Sequence, residues 1–581
     1  MRLDFPGRRR YTGSMLTPLD WVIIAVYLGL SLAAGLYFTR RASRSTEEFF
    51  LSGRHLPWWL AGTSMVATTF ASDTPLYVTG LVRGHGIYEN WQWWCFLLSG
   101  MAAVFFFARM WHRLGVVTDV ELTERRYSGR PAAVLRGFKA LYFSVAIHTL
   151  IKAQVIVAMA KILDVALGWG KWQAIAVTSG VTILYSLASG YWGVVVTDFL
   201  QFAVAMVGAV VLAWTAVSAV GGLSALGPRL AEQYGPSHAY LHFLPPLDSA
   251  EVWSLPLLTF LGYMGLAWWA RYSSDGGGVV VQRMASCRDG RHALWATLYF
   301  NVANYALRPW PWILAALASL ILYPAAADHE AVYPRMMMDL LPGGWRGLML
   351  ASFFAAFMST LSTYLNLSSA YFVNDFYRRF LAPQADERHL LRVTRWSMVG
   401  LSVLTGVVAY HVTSIIGIFK FLIAFGSGTG LVYILRWYWW RVNAWSEIAA
   451  MGASTAVTLY LYLYMPQLPF FAKLAWIVGV STAVWMAVTL LTHPEPLEHL
   501  RAFYEKALPG GPGWRPVVSR LAHPPEPAPL SRDLARWAWG VALVYGLTLG
   551  TGKCLLGAWG PGLLGLGVAG VSFWRLSRAW V

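Results

Sequence analysis

Charge is scarce in this chain. Asp, Glu, Lys and Arg make up 13% of its 581 residues, hydrophobic residues make up 57%, and the mean hydropathy is +0.49. A soluble domain carries about 25% charged residues, so a soluble protein of this length is excluded. Cysteine is rarer still. Cys95, Cys287 and Cys554 are scattered, with no CxxC pair or ligand spacing, so neither a disulfide framework nor a metal site is expected. There is no P-loop, GxSxG or HExxH motif, which leaves no enzymatic reading and no ATP as energy source. Acids are the scarcest charge, 28 against 45 basic residues. The resulting net charge of +17 reflects membrane topology and contact with anionic lipid headgroups rather than a nucleic-acid partner.

What the chain has in plenty is apolar runs. They fall near 18–38, 57–80, 91–110, 138–165, 171–189, 191–218, 254–285, 291–322, 346–377, 391–411, 413–436, 446–464, 471–492, 534–555 and 559–576. That is an all-α polytopic membrane protein with about 14–15 spans. Arginine and lysine concentrate after alternate runs: Arg40 and Arg41, Arg125 to Arg136, Arg283 to Arg291, Arg378 to Arg392, Arg436 and Arg441, and Arg501 to Arg520. Those loops are expected in the cytoplasm, with the N-terminus outside, the C-terminus inside and the protein in a plasma (or bacterial inner) membrane. Arg8, Arg9 and Arg10 oppose that orientation, and Met15 offers an alternative start. The Trp clusters at 91–94, 268–269 and 436–441 read as interfacial anchors. The segment 493–533 reads as a proline-rich cytoplasmic loop, too short and irregular for an output domain of a membrane sensor.

Two runs are interrupted. In the second, Ser72-Asp73-Thr74-Pro75 breaks an apolar stretch; in the seventh, Ser273-Ser274-Asp275-Gly276-Gly277-Gly278 does so, glycine costing about 1 kcal/mol per helical position relative to alanine. Irregular backbone survives at membrane depth only where it lines a cavity, and paired broken spans mark a binding site at the bilayer midplane. The ninth run carries Ala356, Ser359 and Thr360 in its apolar middle. Two hydroxyls and a carbonyl suit a hard monovalent cation. The alternative is that these small residues let two helices approach closely.

The stretches 50–72, 190–202, 355–377 and 425–443 together resemble the sodium:solute symporter family, over roughly residues 18–445. The resemblance implies a leucine-transporter-type 5+5 inverted-repeat core, with repeats at 57–218 and 254–436. The added elements would be an arm at 1–17, an extra N-terminal span at 18–38, accessory helices at 446–492 and C-terminal spans at 534–576. It implies Na+ as coupling ion and no other cofactor. By position, sodium would be held by the carbonyls of Ala67, Phe70 and Ala356 and the hydroxyls of Ser359 and Thr360, with Asp198 nearby; the alternative for Asp198 is a helix-opening cap. Sugar-carrying members have asparagine and glutamine where this chain has Gly277 and Thr74, so a hexose pocket is not expected.

Substrate candidates are Asp73, Thr74, Asp275, Gly276, Gly277, Arg271 and Arg308, then His148 and Lys152, with Gln154 and Lys420 beside them. An arginine centred in an apolar span costs at least about 2.5–3.5 kcal/mol by insertion scales, so Arg308 needs a partner or a wet cavity. It can fork a substrate carboxylate or bridge internally to Asp275 or Asp73. Asp73 can instead open the outer half-helix as a cap. The expected function is sodium-coupled import of a small zwitterion or organic anion by alternating access. The alternatives are proton coupling on the same fold and a transporter-like sensor. Oligomeric state is left open.

Overall fold

A computed structural model describes residues 16–42, 55–116, 119–188, 191–246, 255–521 and 526–578. The described residues are helical apart from turns, loops and one isolated bridge, Leu56 to Cys287. Each of the fifteen apolar runs contains helix. Six helices are long and apolar enough to cross a membrane on those grounds alone, among them Ile87–Leu114, Gly290–Leu322 and Trp345–Leu381. A seventh span is the pair Ile415–Gly426 and Gly430–Tyr438, bent by 42° at a break the sequence reading missed. Close approach explains that break. A Cβ on Gly430 would lie 2.0 Å from the carbonyl oxygen of Trp269, and one on Gly428 would lie 2.3 Å from Ser481 Oγ. The arginines of 1–15 and the Met15 start lie outside the described residues.

The first helix, Pro18–Ala42, is bonded to the helix of the hydroxyl cluster. Asp20 accepts from the backbone N–H groups of Gly344 and Gly347, both at 2.7 Å, where Trp345–Ala370 begins. A carboxylate there meets the positive end of the helix dipole and unfilled amide donors. Gly347 makes the contact possible, since a Cβ on it would sit 2.5 Å from Asp20 Cα.

Two expectations are corrected. Trp91, Trp93 and Trp94 are buried, not interfacial: Trp91 Nε1 donates to the Phe243 carbonyl at 2.7 Å, and Trp93 stacks on Tyr305 at 5.7 Å. Their indole N–H groups and area suit a protein–protein seam as well as a lipid interface. Nor is 493–533 merely an irregular loop. It forms the helix Leu497–Ala507 and a turn that buries Trp514, whose Nε1 donates to the Trp437 carbonyl at 2.7 Å. The buried Arg126 guanidinium lies 5.3 Å from the Phe503 ring and 5.2 Å from that of Trp514. Removing Trp514 should therefore act as a core truncation. Trp514→Ala is expected to lower unfolding stability by about 3–5 kcal/mol, measured by denaturant unfolding in detergent; a loose linker would give no change.

Candidate functional site

The first break falls between Trp58–Thr68 and Asp73–His85. Thr69 folds back onto Met65, and Ser72 Oγ donates to the Val155 carbonyl at 3.1 Å, which ties the gap to the helix His148–Leu167. Ser72 occupies the N-cap position without a side-chain cap bond, and the Asp73 carboxylate takes the backbone N–H groups of Asp73 and Thr74 in the first turn. The second break runs from Arg271, in extended conformation, to Gly278. Gly276 (φ 83°) and Gly278 (φ 81°) are left-handed, a conformation glycine adopts without strain.

Both breaks open on one cavity of about 330 Å³. Of the residues expected at a substrate site, Asp73, Thr74, Gly276, Gly277, Arg271, Arg308, His148 and Gln154 line it. Gln154 Nε2 donates to Asp73 Oδ2 at 2.6 Å, and His148 Nδ1 pairs with Ser368 Oγ at 3.0 Å. Arg308 is 3% exposed. Its Nη1 donates to the Val66 carbonyl at 3.3 Å and Thr69 Oγ1 at 3.4 Å, its Nε has no hydrogen-bond partner, and its guanidinium lies 5.4 Å from the Trp312 ring. Arg271 donates to Ser273 Oγ at 2.9 Å and lies 4.4 Å from the Phe96 ring. Among the described residues neither arginine has an ion-pair partner, so the bridge from Arg308 to Asp275 or Asp73 does not form. Asp73 is the only acid among the described lining residues.

Thr360 lines the same cavity, and its buried Oγ1 has no hydrogen-bond partner among the described residues. Ala356 and Ser359 are buried on the same helix, which packs against Trp58–Thr68. Ala67 and Phe70 are buried at the end of Trp58–Thr68, where the Ala67 carbonyl accepts from Phe70 N–H at 3.1 Å. The Asp198 side chain lies outside the described residues. A basic neighbour escaped the sequence reading, which placed Arg283 in a cytoplasmic loop: it is fully buried and donates to Thr68 Oγ1 at 2.9 Å.

Two candidates are not at the cavity. Lys152 is fully buried, and its Nζ has no hydrogen-bond partner among the described residues. His148, Ile151, Gln154 and Val155 of its helix line the cavity; Lys152, one turn on from His148, sits at the edge of that face and does not line it. Asp275 is fully buried behind the second break. Its Oδ2 accepts from Arg436 Nη2 at 2.6 Å and Trp437 Nε1 at 2.9 Å, and its Oδ1 from Gly277 N–H at 3.3 Å. Arg436 also meets Glu447, which pairs with Lys139 and accepts from the Tyr127 hydroxyl at 2.7 Å. Asp119 completes the support, accepting from Gly278 N–H at 3.1 Å and Tyr371 OH at 2.5 Å. Asp275 and Arg436 thus hold the break in shape.

Asn301 and Asn304 were missed. Both line the cavity, and the buried Asn301 Oδ1 has no hydrogen-bond partner. Thr297, Asn301, Asn304 and Arg308 recur at helical spacing, a polar stripe that could have been read from the sequence. Among the lining residues, Tyr77 and Phe419 meet with ring centroids 4.7 Å apart, and Phe96 lies 6.4 Å from Phe419, an aromatic cluster in the cavity wall.

Broken helices around a buried polar cavity, in a helical bundle with several apolar spans, define a multi-span membrane transporter of leucine-transporter type. The fold agrees with that of a solved Na+-coupled sialic acid symporter in a substrate-bound outward-open state, with a TM-score of 0.67 and 21% identity, covering 83% of this chain and 99% of that one. The profile of the Sodium:solute symporter family matches residues 49–453, and the chain belongs to that family. Relatives include a sodium/mannose cotransporter from Bos taurus, 30% identical over 78% of this chain and 81% of that protein. Another is a sodium/glucose cotransporter from Vibrio parahaemolyticus, 22% identical over 82% of this chain and 91% of that protein.

The two kinds of buried arginine should separate in mutagenesis. Arg436→Ala leaves Asp275 uncompensated and is expected to cost about 3–5 kcal/mol of unfolding stability. Arg271→Ala breaks no ion pair and should change it by no more than about 1 kcal/mol, both read by denaturant unfolding in detergent.

Proposed function

We propose that this chain imports a small, carboxylate-bearing organic solute, zwitterion or anion, driven by sodium and working by alternating access in a plasma or bacterial inner membrane. The N-terminus lies outside and the C-terminus in the cytoplasm. The observation that carries the reading is Thr360, a buried hydroxyl without a partner that faces a cavity opened by two broken helices. Sodium sits between the carbonyls of Ala67, Phe70 and Ala356 and the hydroxyls of Ser359 and Thr360, with Asp198 balancing its charge. Bound there, it holds Trp58–Thr68 against Trp345–Ala370, and the half-helix ends at the break supply partial charges without a full buried charge. The repeats run 57–218 and 254–436, each with its broken span.

The solute occupies the cavity, its carboxylate on Arg308. A guanidinium with its Nε unfilled and no salt bridge among the described residues is suited to a fork on a carboxylate. The names of the relatives, sodium-coupled carriers of mannose, glucose and sialic acid, support sodium coupling and a solute of that size. Because both ligands favour one arrangement of the same helices, each raises the affinity of the other.

The test is thermal stability of the purified protein against amino acids, organic acids, sugars and nucleobases, each in sodium and in potassium. Ser359→Ala and Thr360→Ala should each raise the half-saturating sodium concentration by about tenfold, the loss of about 1.4 kcal/mol per ligand. Arg308→Ala should remove the response to the solute and keep the response to sodium. Unaltered sodium dependence in both hydroxyl variants would sink the sodium assignment. Ligand effects that follow pH and ignore sodium would favour proton coupling.

A further inference from the structure

The charges facing the cavity decide between a zwitterion and an anion. Arg271 and Arg308 contribute two positive charges and Asp73 one negative, and neither arginine is ion-paired among the described residues. A zwitterion or a neutral sugar leaves one positive charge uncompensated in a cavity lined mostly by apolar surface, where an unpaired charge is costly. A monoanion cancels it. Asp73, held by Gln154, and the unpartnered Oδ1 of Asn301 are then acceptors for hydroxyl groups of the solute, and Trp93 and Tyr305, stacked on each other, give it an aromatic wall.

The two arginines are mounted differently. Arg308 is buried on the span that continues into Pro309–Leu322, and its guanidinium faces Trp312, whose ring stacks on Phe70 at 5.6 Å. It belongs to the fixed frame beside the first break. Arg271 is half-buried at the second break and lies on Phe96, whose ring is 6.4 Å from that of Phe419. Both arginines line the one cavity. A carboxylate spanning them connects the frame to the Phe96 and Phe419 rings.

Resting on the carboxylate reading above, we propose that the solute is a hydroxyl-bearing monoanion clamped by both arginines, with Arg308 as anchor and Arg271 as the residue that couples its arrival to closure of the Tyr77, Phe96 and Phe419 cluster. Arg271 can do this because a flat guanidinium can stack on Phe96 and still direct N–H groups at a carboxylate; a lysine ammonium cannot do both. The coupling is reciprocal: solute favours the closed cluster to the extent that the closed cluster favours solute.

The experiment uses the full chain. Thermal stability is recorded in sodium and in potassium with the monoanions D-glucuronate, N-acetylneuraminate and L-lactate, the zwitterions L-proline and L-serine, and the neutral sugars D-glucose and D-mannose. A hydroxyl-bearing monoanion as strongest stabiliser is expected. A zwitterion or neutral sugar in that place, or no response to any of the three monoanions at about 10 mM, a concentration at which a millimolar ligand registers, overturns the inference. A monoanion that acts equally in potassium leaves this inference standing and sinks sodium coupling; sodium stabilisation without any monoanion response does the reverse. For the monoanion found, Arg271→Gln should weaken binding by about tenfold or more. Arg271→Lys keeps the charge, so binding should stay within about threefold while the maximal uptake rate in proteoliposomes falls by about fivefold or more. A fall in uptake no larger than the loss of affinity would make Arg271 a binding residue only and overturn its coupling role.

Discussion

The bundle depends on one constraint: backbone left unpaired at membrane depth must find partners inside the protein. The breaks at 69–72 and 271–278 supply carbonyls and amides for transport, and each is supported from behind. Ser72 fixes the first to the Val155 carbonyl. Asp275 and Asp119 take the amides of Gly277 and Gly278, and Trp111 Nε1 donates to the Asp275 carbonyl at 2.8 Å. Because Asp275 is a full charge with no exposure, it requires Arg436, which shares Glu447 with Lys139. The ion cluster is therefore a consequence of the broken helix. Its members lie on three regions far apart in sequence, around Lys139, Asp275 and Arg436 to Glu447, which joins the accessory helix Ala444–Tyr464 to the core.

This separates two uses of buried charge. Where an arginine meets acids and backbone carbonyls, as Arg436 and Arg126 do, it holds elements together. Where it lines a cavity with its Nε unfilled among the described residues, as Arg308 does, it is available to a ligand. The same reasoning holds in uncharged form for Thr360, whose buried hydroxyl is unfilled among the described residues and lines the same cavity.

Much of the site was legible because helix breakers and intramembrane charges are local signals. Pro75 and the Gly276–Gly278 run give away the breaks, and Arg308 stands out in an apolar span. Asp275 misled because intramembrane position says that a charge matters without saying which partner it meets: its carboxylate is taken by Arg436 and Trp437, more than 150 residues away. Arg283 and Arg436 misled in another way, since basic residues near helix ends serve as topology markers and as buried partners alike.

Composition, the run of apolar segments and the paired breakers determined the class, the helical fold and where the helices break, because each rests on hydropathy and backbone propensity within a single segment. Tertiary structure alone decided which charges are spent and which are free, that the Trp91–Trp94 cluster is core, and that 493–533 docks onto the Arg126 face through Trp514. Those outcomes depend on which faces of distant helices meet, and a pairing between residues hundreds of positions apart leaves no periodic trace in one sequence.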